Sequence, residues 1–257
     1  FKGADLFETA QRAGAVFEAP FGDRKTIRHA NDPEPERRLR IGYLSPSLSE
    51  HVLAPYLEPV FKAHRRDKVS VHVYAHVPNP DGITWRLKEL ADSWTFVHGL
   101  SDEEVAALVV KDSIDILVDP MGHWGENRLL VFARKPAPIQ VSYLCQGLTT
   151  GLPSMDYTIG DRWLNFDGAM QSIATEKVVE LASGFQVVSC NKKTPIDDIP
   201  FETNGFITFS SFNNPAKISD ASLRLWASIL DALPTARLLI KGKWLDRSEK
   251  RLPLTSR

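Results

Sequence analysis

Four short strand-like runs, alternating with helical segments, constrain this chain more than any other feature of it. Leu39-Arg40-Ile41-Gly42-Tyr43-Leu44-Ser45 reads as a strand stopped by Pro46, and Val69-Ser70-Val71-His72-Val73-Tyr74 alternates as a second. Ile114-Asp115-Ile116-Leu117-Val118-Asp119 is apolar almost throughout, as expected of a strand covered on both faces. Residues 139–144 make a fourth strand. Between them, residues 53–64 place Leu53, Leu57, Val60 and Phe61 on one helical side, and residues 85–91 read as a second helix. Ser101-Asp102-Glu103-Glu104 is a capping box opening a helix to Lys111, and 127–134 are helical up to the stop at Pro136. Strand–helix–strand alternation predicts an α/β fold built on a parallel sheet. Ligands of such sheets bind outside the carboxyl ends of the strands, so the loops after strands are the informative ones.

Outside this region the pattern changes. Residues 5–17 form an amphipathic helix with Leu6, Ala10, Ala13 and Phe17 near helical spacing, followed by a polar connector over 20–38. Residues 165–204 are mixed, with a short strand at 178–181. Phe206-Ile207-Thr208-Phe209-Ser210 starts a new strand, Ser219 caps a helix turning Leu223, Trp226, Ile229 and Leu230 inward, and 236–241 return as a strand before a charged tail over 246–257. The expected organisation is a helix and linker over 1–36, a first Rossmann-like domain over 37–204, and the opening of a second over 205–257. One β-α-β unit is an unlikely domain by itself, and the chain opens on Phe1 rather than Met, so the expectation is a piece of a longer protein.

Composition removes several function classes. A formal net charge of -1 gives no electrostatic case for nucleic acid or an anionic membrane. No apolar run approaches the ~20 residues that span a bilayer. Two cysteines, Cys145 and Cys190, exclude a dense disulfide framework and suit a reducing, cytoplasmic compartment. No Cys/His spacing fits a zinc site, and no metal is expected.

The candidate site residues follow strands. His51 lies beyond the first, where an imidazole could act as a general base or orient a hydroxyl; the alternative is a capping or exposed histidine. Gly122-His123 lies beyond the third, with glycine permitting close backbone approach to a ligand. Gly147-Leu148-Thr149-Thr150-Gly151 follows the fourth and offers two hydroxyls for sugar or phosphate oxygens, or is a plain turn. Asn213-Asn214-Pro215-Ala216-Lys217 follows the first strand of the second domain, and Lys217 could meet a diphosphate or stand as a solvated lysine. The remaining histidines read as structural or solvated.

These residues occur in an order that resembles one family. Arg38 to Pro46 followed by His51 is similar to the entry to the catalytic region of O-linked N-acetylglucosamine transferases, glycosyltransferase family 41, which includes SPINDLY-like proteins. Asp115 to Asp119 then leads to Gly122-His123 and Asn127-Arg128-Leu129. Arg134-Lys135-Pro136-Ala137-Pro138-Ile139-Gln140-Val141 and Thr149-Thr150-Gly151-Leu152-Pro153-Ser154-Met155-Asp156-Tyr157 resemble two further family segments. Asn204 to Phe209 and Ser211 to Ile218 resemble the opening of its second domain.

The resemblance implies two Rossmann-like domains of glycosyltransferase B type, with tetratricopeptide repeats upstream. The implied reaction is inverting transfer of N-acetylglucosamine, or of fucose, from a nucleotide sugar such as UDP-GlcNAc to Ser or Thr hydroxyls of proteins. It needs no cofactor and no metal, and its partners are the nucleotide sugar and the acceptor protein. It implies His51 as the catalytic residue, Gly122, His123, Leu144, Thr149 and Thr150 as substrate-binding, and Asn214 and Lys217 as nucleotide-sugar contacts. The chain departs from the family at Ser47-Leu48, Val52, Pro55 and Trp124, and most at Cys145 and Leu148, where glycines are usual and larger side chains would reshape the pocket. The competing reading is a catalytically degenerate relative that binds sugar or protein.

Overall fold

Seven strands between residues 39 and 181 hydrogen-bond side by side, all in parallel: β1 (Leu39–Ser45), β2 (Val69–Ala75), β3 (Ser93–Phe96), β4 (Ile116–Asp119), β5 (Ile139–Ser142), β6 (Tyr157–Asp161) and β7 (Lys177–Leu181). Their order across the sheet is β3-β2-β1-β4-β5-β6-β7. The chain leaves β1 in one direction, returns, and continues from β4 in the other. The gap between β1 and β4 is therefore the topological switch point of a doubly wound sheet. The computed structural model describes residues 3–22, 29–144, 149–189, 195 and 197–242. The chain divides into two units, Phe1–Asn191 and Lys192–Arg257.

Side-chain alternation fills both faces of the sheet. Tyr43, Val71, Val73 and Val118 point into a core shared with Leu57 and Phe61 of α2 (Ala54–Ala63) and Leu87 of α3 (Gly82–Lys88). Their neighbours Leu44, Tyr74 and Leu117 point the other way, against Val105 and Val109 of α4 (Asp102–Lys111) and Val131 and Phe132 of α5 (Leu129–Ala133). Successive residues of a strand face opposite sides, so a strand covered on both must be apolar throughout. The capping box of α4 is present: Glu104 N donates to Ser101 Oγ at 3.2 Å and Ser101 N to Glu104 Oε2 at 2.7 Å. Helix α3 starts before the expected 85, because Asp81 caps it, accepting from the amides of Ile83 and Thr84 at 2.9 Å.

The connector is fastened rather than loose. Asn31 Nδ2 donates to Asp115 Oδ1 at 2.7 Å, and Arg37 Nη1 to Asp115 Oδ2 at 2.8 Å, which ties it to the foot of β4. The first helix, α1 (Gly3–Glu18), docks through backbone. A Cβ on Gly14 would lie 2.0 Å from the Gly151 carbonyl oxygen, and one on Gly151 would lie 2.0 Å from that of Ala10. Both positions therefore require glycine, Gly151 doubly so at a φ of 72°.

The second unit holds α6 (Pro200–Asn204), β8 (Thr208–Ser211), α7 (Asp220–Ala232) and β9 (Arg237–Ile240), with β8 and β9 parallel. Ser219 caps α7 as expected, accepting from Ser222 N at 3.2 Å. The helix α6, which ends on left-handed Gly205, adds to the expected pattern. The charged tail over 246–257 lies outside the described residues.

Candidate active site

Three adjacent central strands carry the first-unit candidates. Tyr43 of β1 pairs with Val118 of β4, and Val118 and Asp119 with Val141 and Ser142 of β5. The loops leaving β1, β4 and β5 therefore emerge together at the carboxyl edge, beside the switch point. They carry His51, Gly122 and His123, and Thr149 and Thr150.

His51 is half-buried before α2. Its Nδ1 accepts a hydrogen bond from the Leu53 amide at 3.2 Å, and its ring meets the edge of Trp124 with centroids 6.2 Å apart. Burial lowers its pKa, so the ring is neutral at physiological pH. With Nδ1 accepting, the single proton sits on Nε2, and the ring presents a donor rather than a base.

His123 is exposed and linked to the next loop: Nε2 donates to the Thr150 carbonyl at 2.8 Å, which leaves Nδ1 as the acceptor. Asp119, at the end of β4, folds the turn before it, accepting from Met121 N at 3.0 Å and Gly122 N at 2.9 Å. Burial pushes the Asp119 carboxyl up to about 6, opposed by those two amides and reinforced by the charge of Glu176.

Thr149 and Thr150 are placed differently from the sequence expectation. Neither hydroxyl is offered to a ligand, because both donate to the buried carboxylate of Glu176. Thr149 Oγ1 reaches Oε2 at 2.6 Å and Thr150 Oγ1 bonds Oε1. The same oxygens also accept from backbone, Thr149 Oγ1 from Gly151 N at 3.0 Å and Thr150 Oγ1 from Leu152 N at 3.3 Å. Leu144 is buried in the core with Met121 and Tyr143, and holds a left-handed φ of 65°, which costs a non-glycine residue about 1–2 kcal/mol. Cys145, Gly147 and Leu148 lie outside the described residues.

In the second unit, Asn214 and Lys217 are exposed in the turn after β8. Asn214 Oδ1 accepts from Ala216 N at 3.1 Å and so shapes the turn Pro215–Lys217. Asp119 and Glu176 are the groups that sequence reasoning passed over. An acid ending an apolar strand was a usable signal for the first; nothing local marks the second. Among the described residues, no cluster of His, Cys, Asp or Glu could hold a metal ion, and no helix is long and apolar enough to cross a membrane.

A cavity of about 330 Å³ adjoins these loops, lined by Leu6, Phe7 and Ala13 of α1 and by His123, Thr149 and Ile173. Its walls are almost wholly apolar.

Comparison with known proteins places this edge in context. Residues 21–193 match the family described as Glycosyl transferase family 41. The Arabidopsis thaliana protein called probable UDP-N-acetylglucosamine--peptide N-acetylglucosaminyltransferase SPINDLY is 36% identical over 83% of this chain and 24% of its own length. The SEC protein of the same plant, a probable enzyme of the same activity by name, is 31% identical over 82% of this chain and 22% of its own. A solved structure of a mutant Thermobaculum terrenum O-GlcNAc transferase superposes with a TM-score of 0.88 at 37% identity, over 100% of this chain and 48% of that one. The chain thus spans about a quarter of the curated relatives it matches.

Proposed function

Because the chain belongs to glycosyl transferase family 41, we propose that it carries the acceptor-side domain, and the opening of the nucleotide-sugar domain, of an inverting protein O-glycosyltransferase of glycosyltransferase B type. The substrates are a nucleotide sugar, UDP-GlcNAc, and Ser or Thr hydroxyls of proteins. The reading uses no cofactor and no metal, involves neither nucleic acid nor membrane, and belongs in the cytoplasm. The observation that carries it is the emergence of His51 and His123 at the switch-point edge of the sheet, inside the span that matches the family.

Inversion requires the acceptor oxygen to attack the anomeric carbon in line as the bond to the diphosphate breaks. Both the orientation of the hydroxyl and the charge of the leaving group must be managed. His51, neutral with its proton on Nε2, donates a hydrogen bond to a sugar or acceptor oxygen and so orients it; the acceptor proton leaves to another base. Lys217 offers a cation to the diphosphate. Glycosylation of Ser/Thr peptides by the full-length protein, read by mass spectrometry with UDP-GlcNAc as donor, tests the reading. Donor hydrolysis and peptide modification both absent, with binding retained, would favour the degenerate relative instead. The engagement of both threonine hydroxyls by Glu176 is the observation on that side.

A further inference from the structure

We propose that Glu176 is a positioning residue of this site: its carboxylate sets the turn Thr149-Thr150-Gly151 and, through the Thr150 carbonyl, the ring of His123. The proposal rests on the reading of His123 as a substrate contact, but its geometry stands independently. Glu176 is 0% exposed, and among the described residues no lysine or arginine pairs with it. An ion buried without a counterion is retained only where several donors surround it. Here they do: Oε1 accepts from the Thr150 amide at 2.7 Å and from its hydroxyl, and Oε2 from Thr149 Oγ1 at 2.6 Å and Thr175 Oγ1 at 3.2 Å.

Two of these donors stand one residue apart in the turn, so the carboxylate clamps it at adjacent positions. The next residue, Gly151, is pinned by its left-handed φ and by the backbone of α1 behind it. The carbonyl of Thr150 is thereby aimed at His123 Nε2, 2.8 Å away. That bond selects the Nε2-protonated tautomer and leaves Nδ1 as the ring's acceptor. The carboxylate's hydrogen bonds go to the three threonines and none reaches His123. Its link to His123 by hydrogen bonds runs through the turn.

The test uses the 257-residue chain labelled with ¹⁵N-histidine, read by long-range ¹H–¹⁵N spectra that distinguish imidazole tautomers. Wild type should show His123 protonated at Nε2. Glu176→Ala should move its ring nitrogens toward the averaged shifts of a free imidazole. Glu176→Gln keeps one oxygen for the Thr150 amide and turns its own amide toward the Thr149 hydroxyl, so it should restore the wild-type signature. His64, bonded to Tyr43 OH at 2.7 Å, and His72, bonded to Ser70 Oγ at 3.0 Å, serve as internal controls. Their signals should not change. If Glu176→Ala does not fold, the Thr149→Val/Thr150→Val pair removes the two hydroxyl donors and should give the same local change. An unaltered His123 signature in a folded variant lacking these contacts overturns the proposal. So does a response spread equally over His64 and His72, which would make Glu176 a general stabiliser. Neither outcome touches the transferase reading, which activity assays judge separately.

Discussion

Alanine at Gly14 should destabilise this protein, against the usual direction for a glycine inside a helix. Elsewhere the change would stabilise by roughly 0.5–1 kcal/mol, since alanine loses less backbone freedom on folding. Here the new Cβ would stand 2.0 Å from the Gly151 oxygen, 2.4 Å from its carbonyl carbon and 3.0 Å from Leu152 N. Ordinary contact begins at 3.4 Å, so α1 must withdraw by about 1.4 Å. The atoms in the way are backbone and cannot rotate aside. Overpacking of this kind costs about 1–3 kcal/mol, and the rigid obstacle argues for the upper half. Withdrawal also stretches the bond from Ser154 N to Glu18 Oε1, 2.7 Å long at present. The net expectation is a loss of ~2 kcal/mol. Urea denaturation followed by hydrogen exchange of the α1 amides measures it: the midpoint should fall and α1 should lose protection first. A gain of about half a kcal/mol or more, with α1 protection intact, would refute the backbone-to-backbone docking of this helix.

The other predictions concern charge and chemistry. The Asp119 carboxyl, raised by burial to about 6 from 3.8, favours the fold at low pH. Its contribution is complete below the unfolded value and lost as pH rises through 6, so wild type should lose up to ~3 kcal/mol between those limits relative to Asp119→Asn. Equal pH slopes for the two proteins in urea titrations would contradict this. In the full-length protein, His51→Ala removes one positioned hydrogen-bond donor and should lower turnover by ~10²-fold with folding intact, and a change below about threefold would make His51 structural. Because burial lowers the pKa of His51, the wild-type rate should show no ionisation of this group above neutrality. Lys217→Ala should weaken uridine diphosphate binding about tenfold by calorimetry, as loss of one hydrogen bond to a charged group requires, and unchanged affinity would remove Lys217 from the site.

Local sequence carried the strands whose surroundings are uniform. β4 is covered on both faces and reads as an apolar run, and the caps of α4 and α7 rest on side chains three residues from the amides they serve. β3 and β6 were not legible. Ser93–Phe96 is a half-exposed edge strand that needs only one hydrogen-bonded neighbour, and Tyr157–Asp161 contains Gly160, whose lack of a side chain leaves room for Met170. The placement of His51 and His123 at the carboxyl edge could be anticipated, because a parallel sheet sends every such loop to one side. Which groups their neighbours would spend on the protein itself could not. Glu176 stands 26 residues from Thr150, and the crossover between β6 and β7 brings them together. Gly14 and Gly151 come from opposite ends of the first unit, and each is a permissive residue until the other's backbone lies against it. Periodicity and capping are short-range physics and survive in a linear reading. The saturation of two threonines by a buried carboxylate, and the need for glycine at a helix contact, arise from long-range packing and exist only once the sheet has closed over them.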